Sequence, residues 1–92
     1  MATSYVVTLA FPRGAPSSEQ RDAQQVFLRR LKDEGTLVLA GRFTDSEGGG
    51  MAVIDAASLD EARQRYSDSP LVVAGIVDWD VREWDVTWRR DG

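Results

Sequence analysis

The chain is built from short apolar runs set between polar joints rich in glycine, proline and serine. Residues 4–11, SYVVTLAF, are rich in β-branched and aromatic side chains and stop at Pro12, which predicts a strand. Tyr5, Val7, Leu9 and Phe11 share one face of it, and Val6, Thr8 and Ala10 the other. After the loop PRGAPSS, Ser17 and Gln20 have capping-box spacing and open a helix. Ala23, Phe27 and Leu31 recur every four residues with Val26 and Leu28 beside them, and Gly35 closes the helix. Two strands follow, carrying the apolar runs Leu37–Ala40 and Met51–Ile54. The loop TDSEGGG between them predicts an antiparallel hairpin. Ser58 and Glu61 repeat the capping-box spacing before a second helix with Leu59, Ala62 and Tyr66 on its apolar side. Ser69-Pro70 fits an N-cap with proline at the first helical position, so LVVAG is expected to make a short helical turn. The last strand alternates Val77, Trp79 and Val81 with charge. The pattern then changes parity to Trp84, Val86 and Trp88, so a bulge or strand end is expected near Glu83.

This order, β-α-β-β-α-β, is the ferredoxin-like α+β arrangement: a four-stranded antiparallel sheet with two helices on one face. The hairpin runs do not alternate, so both faces of the sheet need cover. A second copy packed sheet on sheet about a two-fold axis supplies it, and a homodimer is expected.

Composition narrows the chemistry. The 92 residues, 42% hydrophobic and 28% charged, suit one folded domain over 1–92. A net charge of −4 argues against a nucleic-acid partner. No apolar run is long enough to span a membrane, and the N-terminus lacks the pattern of a signal peptide, so a cytoplasmic location is the default expectation. There is no cysteine and no histidine. Thiolate nucleophiles, Ser-His-Asp chemistry and histidine-ligated metals are thereby excluded within one chain type, and no metal or cofactor is expected. Asp45, Glu47 and Asp55 lack the order of a calcium loop, and the triple glycine at 48–50 lacks the context of a phosphate loop.

The stretches FLRRLKDEGTLVLAGRFTD and GGGMAVIDAASLDEARQRYSDSPLVVAGIVDWDVREW resemble the YCII-related (YciI-like) family of the dimeric α+β barrel superfamily. The likeness lies in a helix ending in glycine, an L-x-x-AG strand, a following aspartate, a glycine-rich turn, an S-x-x-EA helix, a DP-x-x-x-AG turn and a closing strand ending in tryptophan. It runs from about Arg21 to Trp84. The resemblance implies a cleft between helix and sheet holding a histidine of the first helix paired with a carboxylate. Here Gln24 stands at the histidine position and Ser69 at the aspartate of the DP turn, while AGP reads AGR with Arg42 and the loop aspartate is kept as Asp45. An amide cannot carry a proton near neutral pH.

The residues expected to act chemically are therefore Asp45 as a base if burial raises its pKa, Tyr5 as a phenol and Arg42 as an anion clamp. Those expected to touch a ligand are Gln24, which borders the buried stripe of its helix, with Ser69, Phe27 and Trp84. Each has a plainer alternative. Arg42 and Asp45 would also suit a loop ion pair, Tyr5 simple packing, and Trp79, Trp84 and Trp88 core or dimer packing. Three functions stay open. The first is a cofactor-independent isomerase, cyclase or lyase acting on a small organic molecule. The second is a non-catalytic ligand-binding or accessory dimer, and the third an interaction module.

Overall fold

The computed structural model describes residues 3–90. β1 (Thr3–Ala10) leads through α1 (Ser18–Asp33) to the hairpin β2 (Leu37–Arg42) and β3 (Gly50–Ile54). Then come α2 (Leu59–Tyr66), the single turn α3 (Pro70–Val73) and β4 (Asp78–Asp85). The sheet order is β2-β3-β1-β4, with every pair antiparallel. This is the expected ferredoxin-like layout, with one short extra helix.

Local chemistry sets the helix ends. Ser17 caps α1 in a complete box: Ser17 Oγ accepts from Gln20 N at 3.1 Å, and Gln20 Oε1 accepts from Ser17 N at 2.8 Å. At the other end Gly35 takes φ +80°, Thr36 N donates to Leu31 O, and Gly35 N donates to Lys32 O. These two bonds satisfy carbonyls that the helix itself leaves open. At α2 only half of the expected box forms. Ser58 Oγ accepts from Glu61 N, but Glu61 Oε1 accepts from Ala57 N and from Arg65 instead of from Ser58.

Register separates the two faces of the sheet. Tyr5, Val7 and Leu9 pair with Ile54, Ala52 and Gly50 on one side and with Glu83, Val81 and Trp79 on the other. All lie beneath the helices, because directly opposed residues share a face. Val7, Ile54 and Val81 with Phe27, Leu31, Ala62 and Tyr66 form the core. Each such aliphatic side chain contributes roughly 1.5–3 kcal/mol by leaving water.

Three expectations are corrected. Ala23 is exposed and Val26 is 71% exposed; the buried stripe of α1 is Gln24, Phe27 and Leu31. The helix has turned to bury an amide, for a reason given below. Of the bulge or strand end expected near Glu83, the strand end is found, at Asp85, and the bulge is not: the β1–β4 register is unbroken, and the irregularity lies between Leu37 and Leu39 in β2. The change of parity therefore carries Trp84 to the open face within the same strand. That open face is apolar only in part. Val6, Leu39, Met51 and Val53 share it with Asp78, Asp80 and Arg82 of β4, so the doubly apolar pattern holds for the hairpin side alone.

Candidate functional site

The helix-facing positions of the hairpin are small at one end. Ala40 and Ala52 pair directly, and Arg42 pairs with Gly50. Where β3 nears its far end, Ile54 fills the same layer. Small side chains under α1 leave a space, and a cleft of about 520 Å³ opens there. It is bounded by Leu9 and Phe11 of β1 and its loop, Gln24 and Leu28 of α1, and Tyr66 of α2. Its size is that of ordinary small-molecule sites, about 300–1,000 Å³. The hairpin mouth closes tightly on one side. Gly49 has φ +85°, and a Cβ there would run into the Leu9 carbonyl; a Cβ on Gly50 would lie 2.7 Å from Gly41 O. Glycine is needed at both positions for close backbone approach.

Gln24 is 6% exposed. Its Nε2 donates to Tyr66 Oη at 3.1 Å, and its Oε1 accepts from Ser69 Oγ at 2.6 Å. An edge position was expected; instead the amide is the hub of a buried neutral cluster. That is why α1 turns this residue inward and leaves Val26 in water. Ser69, fully buried, sits at the N-cap of α3 but makes no side-chain cap bond, because its hydroxyl is spent on Gln24. Gln24 and Ser69 thus meet as hydrogen-bonded partners, joining α1 to the α3 turn.

Tyr66 was expected only as part of the apolar side of α2. Its ring is held edge-on by Phe27, with centroids 5.3 Å apart, and is flanked by Trp79 at 6.2 Å. Burial pushes its phenol up to about 12, while the Gln24 hydrogen bond pulls the other way. The group stays protonated at neutral pH; its oxygen accepts from Gln24, and its O–H proton is available to donate. The sequence signal was a phenol on the apolar side of α2, three residues before Ser69; small residues alternating at 40, 50 and 52 marked the space it faces.

The other expected residues divide. Arg42 lines the cleft, and Arg21 lines it too. Phe27 is buried between Tyr66 and the Arg30 guanidinium, 5.3 Å from its ring centre, so it positions the phenol from behind. Asp45 is exposed and accepts from Glu47 N and Gly48 N, at 3.1 and 3.2 Å. Its carboxylate shapes the hairpin loop and is not among the groups bounding the cleft. Tyr5 pairs with Ile54 and Glu83, four residues before Leu9 and so about 13 Å along the strand from the cleft. Burial, then the carboxylates of Glu83 and Glu61, push its phenol up. Trp84 lies at that same distant end on the open face.

No aspartate or glutamate lines the cleft among the described residues, and no group of three metal-ligating side chains stands together there. The polar side chains among its lining residues are Gln24 and Tyr66, backed by Ser69 behind Gln24, with Gln25, Arg21 and Arg42. Such a site can bind and polarise an oxygen. It holds no side chain that would accept a proton near neutrality.

The YCII-related domain matches residues 5–85. The chain belongs to the YCII-related family. A curated relative, the uncharacterized protein YjpA of Bacillus subtilis (strain 168), is 41% identical over 58 residues, 63% of this chain and 67% of that protein. Among solved structures, the fold is similar to that of 5-chloro-2-hydroxyhydroquinone dehydrochlorinase (TftG) from Burkholderia phenoliruptrix AC1100, in complex with 2,5-dihydroxybenzoquinone. The TM-score is 0.71 with 18% identity, over 89% of this chain and 93% of that one. It is also similar to muconolactone isomerase, with a TM-score of 0.73 and 16% identity over 91% of this chain and 90% of that one. At these identities the likeness carries the fold.

Proposed function

We propose that this protein binds a small oxygenated organic molecule in the cleft between α1 and the hairpin, and that Tyr66 and Gln24 hold a carbonyl or hydroxyl oxygen of it. The observation that carries this is the buried, wholly neutral Gln24–Tyr66–Ser69 cluster beside a cleft of ligand size. Evolution of a packing contact alone gives no reason to bury an amide and two hydroxyls where leucine would pack, since buried polar groups need every partner supplied. The similar dehydrochlorinase fold is complexed with a dihydroxybenzoquinone, a ring of this general kind.

A screen of small ring compounds by amide chemical shift tests the reading. Members carrying a carbonyl or phenol should move the Gln24 side-chain resonances, and Tyr66→Phe should weaken them by about 1–2 kcal/mol. A screen in which no compound moves any cleft resonance would refute it.

A second reading has its own support. Tyr66 keeps its proton to about pH 12 and stands as a hydrogen-bond donor able to steady a developing enolate or phenolate. On that reading the chain is a cofactor-independent isomerase or lyase whose substrate supplies the basic group. Turnover of a cleft ligand, lost in Tyr66→Phe and kept in Tyr5→Phe, would distinguish catalysis from binding.

The working unit on either reading is a homodimer through the open sheet face. Leu39 and Trp84, 55% and 46% exposed, stand on that face with the half-buried Val6 and Met51 and call for cover. Light scattering at low micromolar concentration should return twice the 10.2 kDa chain mass. A stable monomer would exclude it.

A further inference from the structure

The cleft carries a charge opposite to that of the molecule. The chain has 15 acidic and 11 basic residues, yet the charged side chains lining the cleft are Arg21 and Arg42. Arg13 pairs with Asp78, Arg30 with Glu34 and Asp68, and Arg65 with Glu61, while Arg29, Arg63 and Arg82 have no ion pair among the described residues but do not line the cleft. Arg42 forms no ion pair among the described residues, and neither does Arg21. One Arg21 nitrogen donates to Pro16 O at 3.2 Å, and its other donors have no hydrogen-bond partner among the described residues. The two arginines come from different elements, α1 and the end of β2, so neither helix periodicity nor strand alternation alone explains why both line one cleft.

Resting on the reading that the cleft holds a small organic molecule, we infer that its border is an anion subsite formed by Arg21 and Arg42, and that the ligand class is small organic acids. Such a ligand carries a carboxylate at one end and a carbonyl or hydroxyl at the other. The carboxylate meets the guanidiniums, whose planar forks match its two oxygens. The far oxygen reaches the neutral donors Tyr66 and Gln24. The body between them lies over Leu9, Leu28, Ala40 and Ala52, which asks for a flat apolar ring. In a chain of net charge −4 an anion is repelled in general, so cations in a cleft that no described acidic residue lines give selection as well as attraction.

Matched probes test this: para-hydroxybenzoate against para-hydroxybenzamide, equal in shape and differing in charge. Each is titrated into the full chain at low salt and followed by amide and arginine side-chain chemical shifts. The acid should bind roughly tenfold more tightly than the amide, the worth of a charge-assisted hydrogen-bonded contact. Arg42→Gln and Arg21→Gln should each reduce that preference, the double change should level the two probes, and Arg42→Lys should keep part of it. Added salt should weaken the acid and leave the amide unchanged. Equal binding of the two probes by the wild-type chain overturns the anion subsite while leaving the cleft reading intact. So does acid binding that is indifferent to both substitutions. Failure of both probes to move any cleft resonance overturns the subsite as well, and if the wider ring-compound screen is equally silent, the cleft reading falls with it.

Discussion

The two tyrosines mark two ends of one layer, and the ends are built for different purposes. Tyr5 stands where the sheet and α2 meet without space, across from Ile54 and beside Glu83. Tyr66 stands where the sheet offers Ala40, Gly50 and Ala52, and its phenol meets an amide at the edge of a cleft. Both phenols are pushed above the ordinary value, Tyr5 by burial and two carboxylates, Tyr66 by burial against the pull of Gln24. A raised pKa alone therefore does not mark a site. The free space and the hydrogen-bond partner do, and both belong to Tyr66.

The largest way to break this contrast is to hollow out the closed end. Ile54→Ala should cost about 2–5 kcal/mol in chemical denaturation, because the residue is fully buried and its neighbours cannot collapse onto the gap. Next is the hub of the open end. Gln24→Ala should cost about 1–3 kcal/mol, since the Tyr66 and Ser69 hydroxyls lose their partner in a buried place, and it should abolish ligand-induced shifts. A cost below a few tenths of a kcal/mol would return Gln24 to a plain helix edge.

Alkaline titration sharpens the comparison through the phenols themselves. Neither tyrosine should ionise at its ordinary value of 10.0, and Tyr66 should ionise at about 12. Because the folded pKa is raised, this contribution to stability is whole below the unfolded value and is lost as pH rises from 10 through 12. Tyr66→Phe should flatten that alkaline loss, as read by denaturant midpoints across the range. The smallest effect on stability is expected from filling the cleft. Ala40 is exposed above the empty space, so Ala40→Leu should change stability by no more than about 0.5 kcal/mol while eliminating binding. A large loss of stability there would mean that the space is not free.

Legibility followed the range of the interactions. The caps at Ser17 and Ser58, the glycine stop at Gly35 and the hairpin loop are decided within a few residues, and each was open to reading in order along the chain. Ser69 shows the limit. It has N-cap spacing, but its hydroxyl answers to Gln24, 45 positions away in sequence. Asp45 shows the opposite case: a residue that invited a catalytic reading has its carboxylate accepting from Glu47 N and Gly48 N within its own loop. Tyr66 was hidden because apolar spacing on a helix says only that a side chain is buried, not that a space lies beside it.

Element order, the four-strand antiparallel sheet and the exclusion of cysteine, histidine and their metals were determined by the sequence alone, because periodicity, turn chemistry and composition act locally or by simple count. Which phenol faces the cleft, that Gln24 points inward while Ala23 and Val26 point out, and that Arg21 and Arg42 share one opening were decided only by the tertiary structure. The physical reason is that a helix fixes which residues share a stripe, but its rotation about its own axis is set by what it packs against. In α1 the partners are two hydroxyls from α2 and α3, whose need for an amide outweighs the burial of a valine.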